Sequence, residues 1–328
     1  MQPEMNKTEQ RGAAQADIRH PLSDNDRRAV AAMRAAVAAL KGTMTGPDAR
    51  APFDDVMEHT PDAPGVTYET SNLDGVTGIW CKPDGAHPNA AILYLHGGGY
   101  VLGSPHAYRH FAGQIAARSK AAVFIAQYRL APESPFPAAL DDAKAAYRGL
   151  VESGARPIAI VGDSAGGGLA LALLSAVASE RVTPVAAVVM SPWTDLALTG
   201  ESLEDRAEED PLLTKEMLSK TGASYLRGHD PRDPLASPLY GDLAGRPPIQ
   251  LHVGTSEILL DDSRRYAARA RSAGVDATLH VWEGMTHVFA SSVGTLEAAE
   301  MALNLLGSFL AAKLGTRPES TQATSRQS

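Results

Sequence analysis

The chain has 328 residues, of which 44% are hydrophobic and 21% charged, a composition typical of a globular enzyme with a sizeable buried core. The formal net charge of -8 and the lack of a basic patch exclude a nucleic-acid partner, because no cluster of cations could neutralise phosphates. The single cysteine, Cys81, excludes an intramolecular disulfide and is compatible with a reducing compartment. No signal segment or membrane-spanning stretch is evident, so the sequence predicts a cytoplasmic protein without a membrane partner.

Both ends of the chain are polar and lack a periodic pattern. We therefore predict a disordered segment over residues 1–20 and a loose tail over 315–328. A helix is predicted between Ser23, a capping residue, and Gly42, a terminator. One face of this helix is apolar and consists of Val30, Met33, Val37 and Leu40. Because that face needs a surface to cover, we predict that residues 21–50 form part of a cap.

A proline-rich connector follows, from Pro47 to Pro64. It leads into two short segments, 66–70 and 76–81, in which apolar and polar residues alternate. An Asp-Gly turn separates them, which predicts an antiparallel hairpin.

Beyond Pro88 the sequence alternates between strands and helices, a pattern typical of crossover units on a mostly parallel sheet. The predicted strands cover residues 91–95, 122–128, 158–161, 186–190, 249–253 and 277–281. The predicted helices cover residues 108–118, 138–152, 165–179, 261–273 and 296–314. Together with the hairpin, these elements predict an α/β fold with eight strands.

One long stretch, residues 193–235, interrupts this alternation. It is charged, partly helical and much longer than a crossover requires. We predict that it is an insertion that caps the sheet together with residues 21–50. Residues 51–192 and 236–314 then form the main α/β domain.

A buried strand, 158–161, runs into Gly162-Asp163-Ser164-Ala165-Gly166 and then into an Ala/Leu-rich helix. The G-x-S-x-G pattern between a strand and a helix places Ser164 on a sharp bend with its hydroxyl exposed. Gly162 and Gly166 are needed because larger side chains would collide where the two elements cross. The bend puts Ser164 at a helix N-terminus, where free N–H groups favour developing negative charge. The pattern predicts a nucleophilic serine, with a packing turn or a phosphate-binding loop as the alternatives.

A second glycine-rich turn, HGGG at residues 96–99, follows the predicted strand 91–95. Acyl transfer at Ser164 requires backbone N–H donors from the residue after the serine and from an earlier loop. We predict that Gly98, Gly99 and Ala165 are these donors. The alternatives are a flexible turn or a phosphate cradle, although no G-x-x-x-x-G-K-[ST] motif is present.

Four motifs together resemble the bacterial hormone-sensitive-lipase family of carboxylesterases, which are α/β-hydrolases. They are HGGG at 96–99, YRLAPE at 128–133, GDSAGG at 162–167 and HVF at 287–289. They occur in the order and spacing of the family, and the resemblance covers about residues 66–312. It implies an α/β-hydrolase fold, serine carboxylesterase activity on a small-molecule ester, and no cofactor.

A nucleophilic serine needs a base, and in α/β-hydrolases the histidine follows both the nucleophile and the acid in the chain. The histidines after Ser164 are His229, His252, His280 and His287. Two of them fall within predicted strands and one within the insertion. The last, His287, lies in a loop after the final strand, where the family places its catalytic histidine. The resemblance therefore implies that His287 is the base.

The orienting carboxylate is sought in residues 255–262, TSEILLDD. The family usually has an aspartate that opens a D-P-L-x-D-like segment after the seventh strand. Alignment of the leucine and the acidic residues that follow puts Glu257 in that position, and some members are similar in using glutamate. The resemblance thus implies Glu257, with Asp261 and Asp262 as alternatives whose plainer interpretation is a favourable interaction with a helix dipole.

Several other polar residues have a structural interpretation. Asp163, Asp195 and an Arg129/Glu133 pair resemble scaffold positions of the family and are interpreted as groups that orient loops. His106 and His110 have the i, i+4 spacing of zinc ligands, but without H-E-x-x-H or a third ligand no metal site is predicted.

The last predicted strand, 277–281, is expected at the open edge of the sheet. It alternates apolar and polar residues and contains no proline or lysine that would block pairing. We therefore expect a homodimer formed by edge-to-edge association.

The overall prediction is a serine carboxylesterase. The insertion is charged and has no long apolar run, which favours a small covered pocket and short acyl chains. The alternatives are hydrolysis of lactones, carbamates or amides by the same residues, and a non-catalytic small-molecule receptor on the same fold.

Overall fold

The computed structural model of the protein describes residues 17–316, which form nine strands and nine α-helices. The strands are β1 (Ile18–His20), β2 (Val66–Leu73), β3 (Val76–Pro83), β4 (Ala91–Leu95), β5 (Ala122–Ala126), β6 (Ile158–Asp163), β7 (Ala186–Met190), β8 (Ile249–Gly254) and β9 (Ala277–Trp282). The helices are α1 (Asp24–Val37), α2 (Arg50–Glu58), α3 (Pro105–Ser119), α4 (Ala138–Glu152), α5 (Ser164–Ala176), α6 (Ser202–Asp205), α7 (Lys215–Leu226), α8 (Leu260–Ser272) and α9 (Glu297–Leu314). Most of the predicted disordered segment and of the predicted loose tail lies outside the described residues.

The nine described strands form one sheet in the order β1-β9-β8-β7-β6-β4-β5-β3-β2. β2 and β3 form the predicted antiparallel hairpin, β3 is also antiparallel to β5, and all other neighbours are parallel. The predicted α/β-hydrolase fold is confirmed, and the sheet has nine strands where eight were predicted.

Helices cover both faces of this sheet. Every residue of β4 is buried, as expected for a strand that is packed on both sides. Because alternate side chains point to opposite faces, Ile92 and Tyr94 belong to the core cluster that also contains residues of α3 and α9, whereas Leu93 and Leu95 belong to the cluster that contains residues of α4, α5 and α8. The sequence of β4 is apolar throughout because both of its faces are packed against helices.

Strands β4, β6, β8 and β9 all run in the same direction, so the loops that follow them meet at one edge of the sheet. These loops carry the HGGG turn, Ser164, Glu257 and His287, respectively. The topology therefore brings all sequence-predicted site residues to the carboxyl edge, where ligands bind in α/β sheets.

Strand β1 corrects two predictions. Residues 18–20, predicted to be disordered, pair in parallel with β9, so β9 has a neighbour on each side. The prediction that residues 277–281 form an open edge is wrong, and the route to a homodimer through that edge is lost with it. A three-residue strand shows no periodicity, and Ile18 is 41% exposed, so backbone pairing rather than an apolar pattern defines β1.

Helix α2 lies within the predicted proline-rich connector. Pro52 occupies its first turn, where a missing N–H breaks no intrahelical hydrogen bond. Phe53, Val56 and Met57 have helical i, i+3, i+4 spacing, and all three line the cavity described below. That spacing is the signal that could have revealed the helix.

Strand β1 is anchored to β9 and β8 by a row of aromatic and polar side chains that starts at His20. The His20 ring stacks on Trp282 with ring centroids 3.7 Å apart, and its Nε2 lies 2.9 Å from Nδ1 of His280. The row continues from His280 through Gln250 to His252, which accepts a hydrogen bond of 3.3 Å from Trp282 Nε1. When all three histidines are neutral, both ring nitrogens of His280 and of His252, and Nε2 of His20, each have one donor or acceptor partner, so a proton added at one of these atoms would face another donor.

A decrease in pH should weaken the hydrogen bonds of this row of histidines. Burial, and to a smaller degree the neighbouring His20, lowers the pKa of His280 from its ordinary 6.5 to about 4. Between these values the unfolded chain binds more protons than the folded one, so this contribution to the free energy of unfolding decreases as the pH falls from 6.5 to 4. We expect urea titrations at fixed pH to show a steeper acid loss for the wild type than for His280→Gln.

The comparison with a variant is needed because two buried carboxyl groups act in the opposite direction. Burial raises the pKa of Asp163 to about 6 and that of Asp262 to about 7, so their contribution improves with acid. Both carboxyl groups are present in the wild type and in the variant, so their contributions cancel when the two pH slopes are subtracted. Equal pH slopes for wild type and His280→Gln would contradict the expectation.

Candidate active site

Ser164 lies at the junction of β6 and α5, on a strained backbone. Its φ of 51° is in the left-handed region, which non-glycine residues rarely adopt. A Cβ on Gly162 would overlap the Gly166 carbonyl, and a Cβ on Gly166 would overlap the Leu95 carbonyl. The predicted need for small residues at both glycines is confirmed. At Gly162, β6 and α5 cross in direct backbone contact, and at Gly166 the start of α5 approaches the backbone at the end of β4.

His287 follows β9 and contacts Ser164 directly. Its Nε2 lies 2.8 Å from Ser164 Oγ, although the two residues are 123 positions apart in the chain. Its Nδ1 lies 2.9 Å from Oε2 of Glu257. The structure thus brings together the three residues proposed from the sequence, in the serine, histidine and carboxylate order of an acyl-transfer site.

The Glu257 carboxylate is fully buried and fixed on its other side. Oε1 accepts hydrogen bonds from the Gly254 N–H at 2.6 Å and from Ser191 Oγ at 2.8 Å. Ser191 Oγ in turn accepts a hydrogen bond of 3.1 Å from the N–H of Val288, next to His287. Sequence reasoning missed Ser191, for which the only signal was its position directly after β7.

The two alternative carboxylates point elsewhere. Asp261 accepts a hydrogen bond from the Ser202 N–H, and Asp262 from the N–H groups of Thr194 and Asp195. Both therefore hold the segment after β7 against α8, and neither contacts His287.

The HGGG turn lies beside the elbow, the sharp turn at Ser164 between β6 and α5. Gly98 and Gly99 have φ values of 108° and 63°, which favour glycine, and both line the same cavity as Ser164. The N–H groups of Gly98, Gly99 and Ala165 donate no hydrogen bond within residues 17–316. They are therefore free to donate to a bound oxyanion.

Asp163 holds this turn against the elbow. Its buried carboxyl accepts hydrogen bonds from Tyr94 Oη at 2.6 Å, the Gly97 N–H at 3.0 Å and Tyr108 Oη at 3.1 Å. Burial raises its pKa to about 6, and these three donors limit the rise. These contacts agree with the interpretation of Asp163 as a group that orients a loop.

The electrostatic surroundings of His287 favour its protonated form. Burial by itself lowers the pKa of His287, but the hydrogen bond to Glu257 and the charges of Glu257, Asp210 and Asp163 outweigh it. The pKa of His287 is therefore raised above its ordinary value. An imidazolium that forms when the serine hydroxyl loses its proton is stabilised by the same interactions.

A cavity of about 260 Å³ opens onto Ser164 and His287. Its walls are mostly apolar, and no lysine or arginine of the described chain is among them. The N-terminal segment contributes Met33, Val37, Leu40, Met44, Phe53, Val56 and Met57. The segment after β7 contributes Trp193, Leu212, Leu213, Met217, Leu218 and Thr221.

One sequence interpretation, the pairing of Arg129 with Glu133, changes in detail. Arg129 pairs with Asp142 rather than with Glu133, and Glu133 pairs with Arg50 at the start of α2. Histidines and acidic residues do not gather in a metal-binding group of three or more anywhere in the described residues.

The fold and the site together define an α/β hydrolase. A family model described as alpha/beta hydrolase fold matches residues 92–291. Among curated proteins, the chain is 43% identical over 242 residues to an acetyl-hydrolase of Streptomyces hygroscopicus, which is 73% of this chain and 81% of that protein.

Solved structures are similar over nearly the whole described chain. A crystal structure of an esterase from the bacterial hormone-sensitive lipase family has 40% identity and a TM-score of 0.84, covering 89% of this chain and 99% of the other. A structure of EstE5 soaked with p-nitrophenyl butyrate has 37% identity and a TM-score of 0.81, covering 88% and 99%. The chain belongs to the bacterial hormone-sensitive lipase family and is a carboxylic ester hydrolase. The alternative of a non-catalytic receptor is thereby set aside.

None of the helices within residues 17–316 combines the length and the apolar character needed to cross a bilayer.

Proposed function

We propose that this esterase hydrolyses short-chain carboxylic esters through an acyl-enzyme on Ser164. The observation that carries the proposal is the continuous line of contacts from Ser164 Oγ to His287 Nε2 at 2.8 Å and from His287 Nδ1 to Glu257 Oε2 at 2.9 Å. A hydroxyl is a weak nucleophile until a neighbouring base removes its proton, and this geometry supports His287 as the base and Glu257 as its orienting acid.

In the proposed first step, Ser164 Oγ bonds to the ester carbonyl carbon while its proton passes to Nε2 of His287. Glu257 accepts the Nδ1–H hydrogen bond and so holds the tautomer in which Nε2 can take up that proton. The carbonyl oxygen becomes an oxyanion that receives hydrogen bonds from the N–H groups of Gly98, Gly99 and Ala165. The bond to the alkoxy oxygen then breaks, and the alcohol leaves with the proton from His287.

In the second half of the reaction, His287 takes a proton from water as the water oxygen bonds to the acyl carbon. The tetrahedral intermediate uses the same three N–H donors. Its collapse breaks the bond to Ser164 Oγ, which regains a proton from His287, and the carboxylic acid is released.

The cavity supports a preference for small, uncharged acyl groups. Its volume of about 260 Å³ is below the range of roughly 300–1,000 Å³ of sites for drug-sized ligands. Its apolar walls offer no cation to an anionic substrate. The acetyl-hydrolase similarity and the p-nitrophenyl butyrate soak of a related structure agree with this size.

We further propose that residues 21–58 and 193–235 form the cap over this cavity. The N-terminal part of the cap, predicted from the sequence as residues 21–50, is thereby extended to residue 58, because Phe53, Val56 and Met57 of α2 are in the cavity wall. The two parts are joined by a backbone hydrogen bond from the Gly42 N–H to the Leu212 carbonyl at 2.9 Å. The cytoplasmic location expected from the sequence stays a prediction.

A series of p-nitrophenyl esters tests the substrate class. We expect kcat/KM to be highest for acetate to butyrate and to decrease for octanoate and longer chains, which exceed the cavity. Brief incubation with the butyrate ester followed by acid quench should show, by mass spectrometry, a butyryl group on the peptide that contains Ser164. Faster hydrolysis of long-chain triglyceride emulsions than of soluble butyrate esters would contradict the size preference.

A further inference from the structure

Asp210 is a fully buried carboxylate between α6 and α7, in the segment after β7. Its Oδ1 accepts hydrogen bonds from the N–H groups of Leu212 at 2.9 Å and Leu213 at 2.8 Å. Its Oδ2 accepts one from the N–H of Ile258 at 3.0 Å. No lysine, arginine or histidine of the described residues forms an ion pair with it, so backbone donors alone hold this carboxylate.

These three hydrogen bonds join two parts of the site. Leu212 and Leu213 are in the cavity wall, and Ile258 directly follows Glu257, whose carboxylate contacts His287. Asp210 therefore ties the wall that meets the substrate to the loop that carries the proposed acid. A shift of Asp210 would move both at once.

The charge of Asp210 also acts on the histidine. The negative groups that raise the pKa of His287 are Glu257, which is hydrogen-bonded to it, and the nearby Asp210 and Asp163. Asp163 is held by Tyr94, Tyr108 and the HGGG turn. Of these three carboxylates, only Asp210 belongs to the segment after β7 that contributes to the cavity wall.

We propose that Asp210 is a positioning residue of the reaction, which fixes the Glu257 loop against the cavity wall and stabilises the positive charge that forms on His287. The inference rests on the proposed function, because it requires His287 to be the base. Nothing in the sequence motifs pointed to it, since Asp210 is 47 positions from Glu257 and belongs to no recognised pattern.

Replacement of Asp210 by Asn tests the charge. The variant keeps the shape, but its amide NH2 cannot accept the third N–H, and the negative charge is lost. We expect kcat to decrease by about 10- to 100-fold, the range supported by one lost hydrogen bond to a charged group.

The pH profile of kcat/KM separates this role from a merely structural one. Neutral His287 is the active base, so kcat/KM rises with pH through the pKa of His287 in the free enzyme. Since the Asp210 charge raises that pKa, its removal should move the acid limb of the profile to lower pH. Asp210→Glu keeps the charge and alters the position, so its acid limb should stay near the wild-type pH while kcat decreases.

Asp195→Asn is a matched control. Asp195 is also buried in this segment and accepts hydrogen bonds from Thr199, Tyr240 and Arg265, but it has no contact with the Glu257 loop. Its loss should reduce the melting temperature and leave the acid limb where it is. If Asp210→Asn is not recovered folded, Asp210→Ser, whose hydroxyl still accepts from backbone N–H groups, takes its place with the same expected shift.

An acid limb that is unmoved in Asp210→Asn, or in its Ser substitute, overturns the inference. The proposed function is tested separately by acylation of Ser164 in the wild type. Failure of that acylation would remove the basis of the mechanism, whereas an unmoved limb with normal acylation would reject the Asp210 role alone.

Discussion

The Ser164→Ala variant is expected to fold like the wild type and to lose about 10⁶-fold in kcat, as happens when the nucleophile of a cooperating triad is removed. The change deletes one oxygen and keeps the Cβ, so the crossing of β6 and α5 is undisturbed. The hydroxyl lies 2.8 Å from His287 Nε2, and no other serine contacts that nitrogen within the described chain. The measurement is kcat with a p-nitrophenyl ester, together with the melting temperature.

A matched control removes a different buried hydroxyl. Ser263, in α8, is fully buried and its Oγ has no hydrogen-bond partner in the described residues. Ser263→Ala should therefore leave both kcat and the melting temperature close to wild type. Labelling with an organophosphate should mark Ser164, and covalent modification of another serine in its place would reject Ser164 as the nucleophile.

The Glu257→Gln variant is expected to lose on the order of 10⁴-fold in kcat, the loss known when the acid of a serine triad becomes an amide. The Gly254 N–H and Ser191 Oγ need an acceptor, so the glutamine oxygen should remain with them and its NH2 group should face His287 Nδ1. Nδ1 must then accept rather than donate, which places the ring proton on Nε2 and blocks proton transfer from Ser164. The pH-independent kcat of the variant and the wild type checks this.

Asp261→Asn is the control that distinguishes the competing carboxylates. Asp261 accepts a hydrogen bond of 2.9 Å from the Ser202 N–H and lies in the first turn of α8. Loss of a first-turn charge costs about 0.3–1 kcal/mol of stability, and kcat should stay close to wild type. An inactive Asp261→Asn beside a nearly normal Glu257→Gln would place the acid one helical turn later than we propose.

Local patterns predicted most of the elements correctly. The apolar run of β4 and the alternation in β2 and β3 are strong signals, and the structure places those strands within a few residues of the prediction. Weak local signals failed instead. β1 is too short for a pattern, and the prolines around α2 concealed the helical spacing of its apolar residues.

The residues of the candidate site differ in how far the sequence could predict them. Ser164 followed from a contiguous strand, turn and helix, and His287 and Glu257 from their order in a family pattern. Ser191 and Asp210 gave no signal, because each acts through contacts with backbone or side chains that are distant in the chain.

The sequence by itself determined the alternation of strands and helices, the sharp turn at Ser164 and the need for a small residue at Gly162, because each depends on neighbours within a few positions. Only the tertiary structure decided which carboxylate reaches His287 and which strand covers β9. Ser164 and His287 are 123 residues apart, and Glu257 and His287 are 30 apart. Contacts over such separations depend on the order of strands in the sheet and on the loops at its carboxyl edge, and local periodicity carries no information about either.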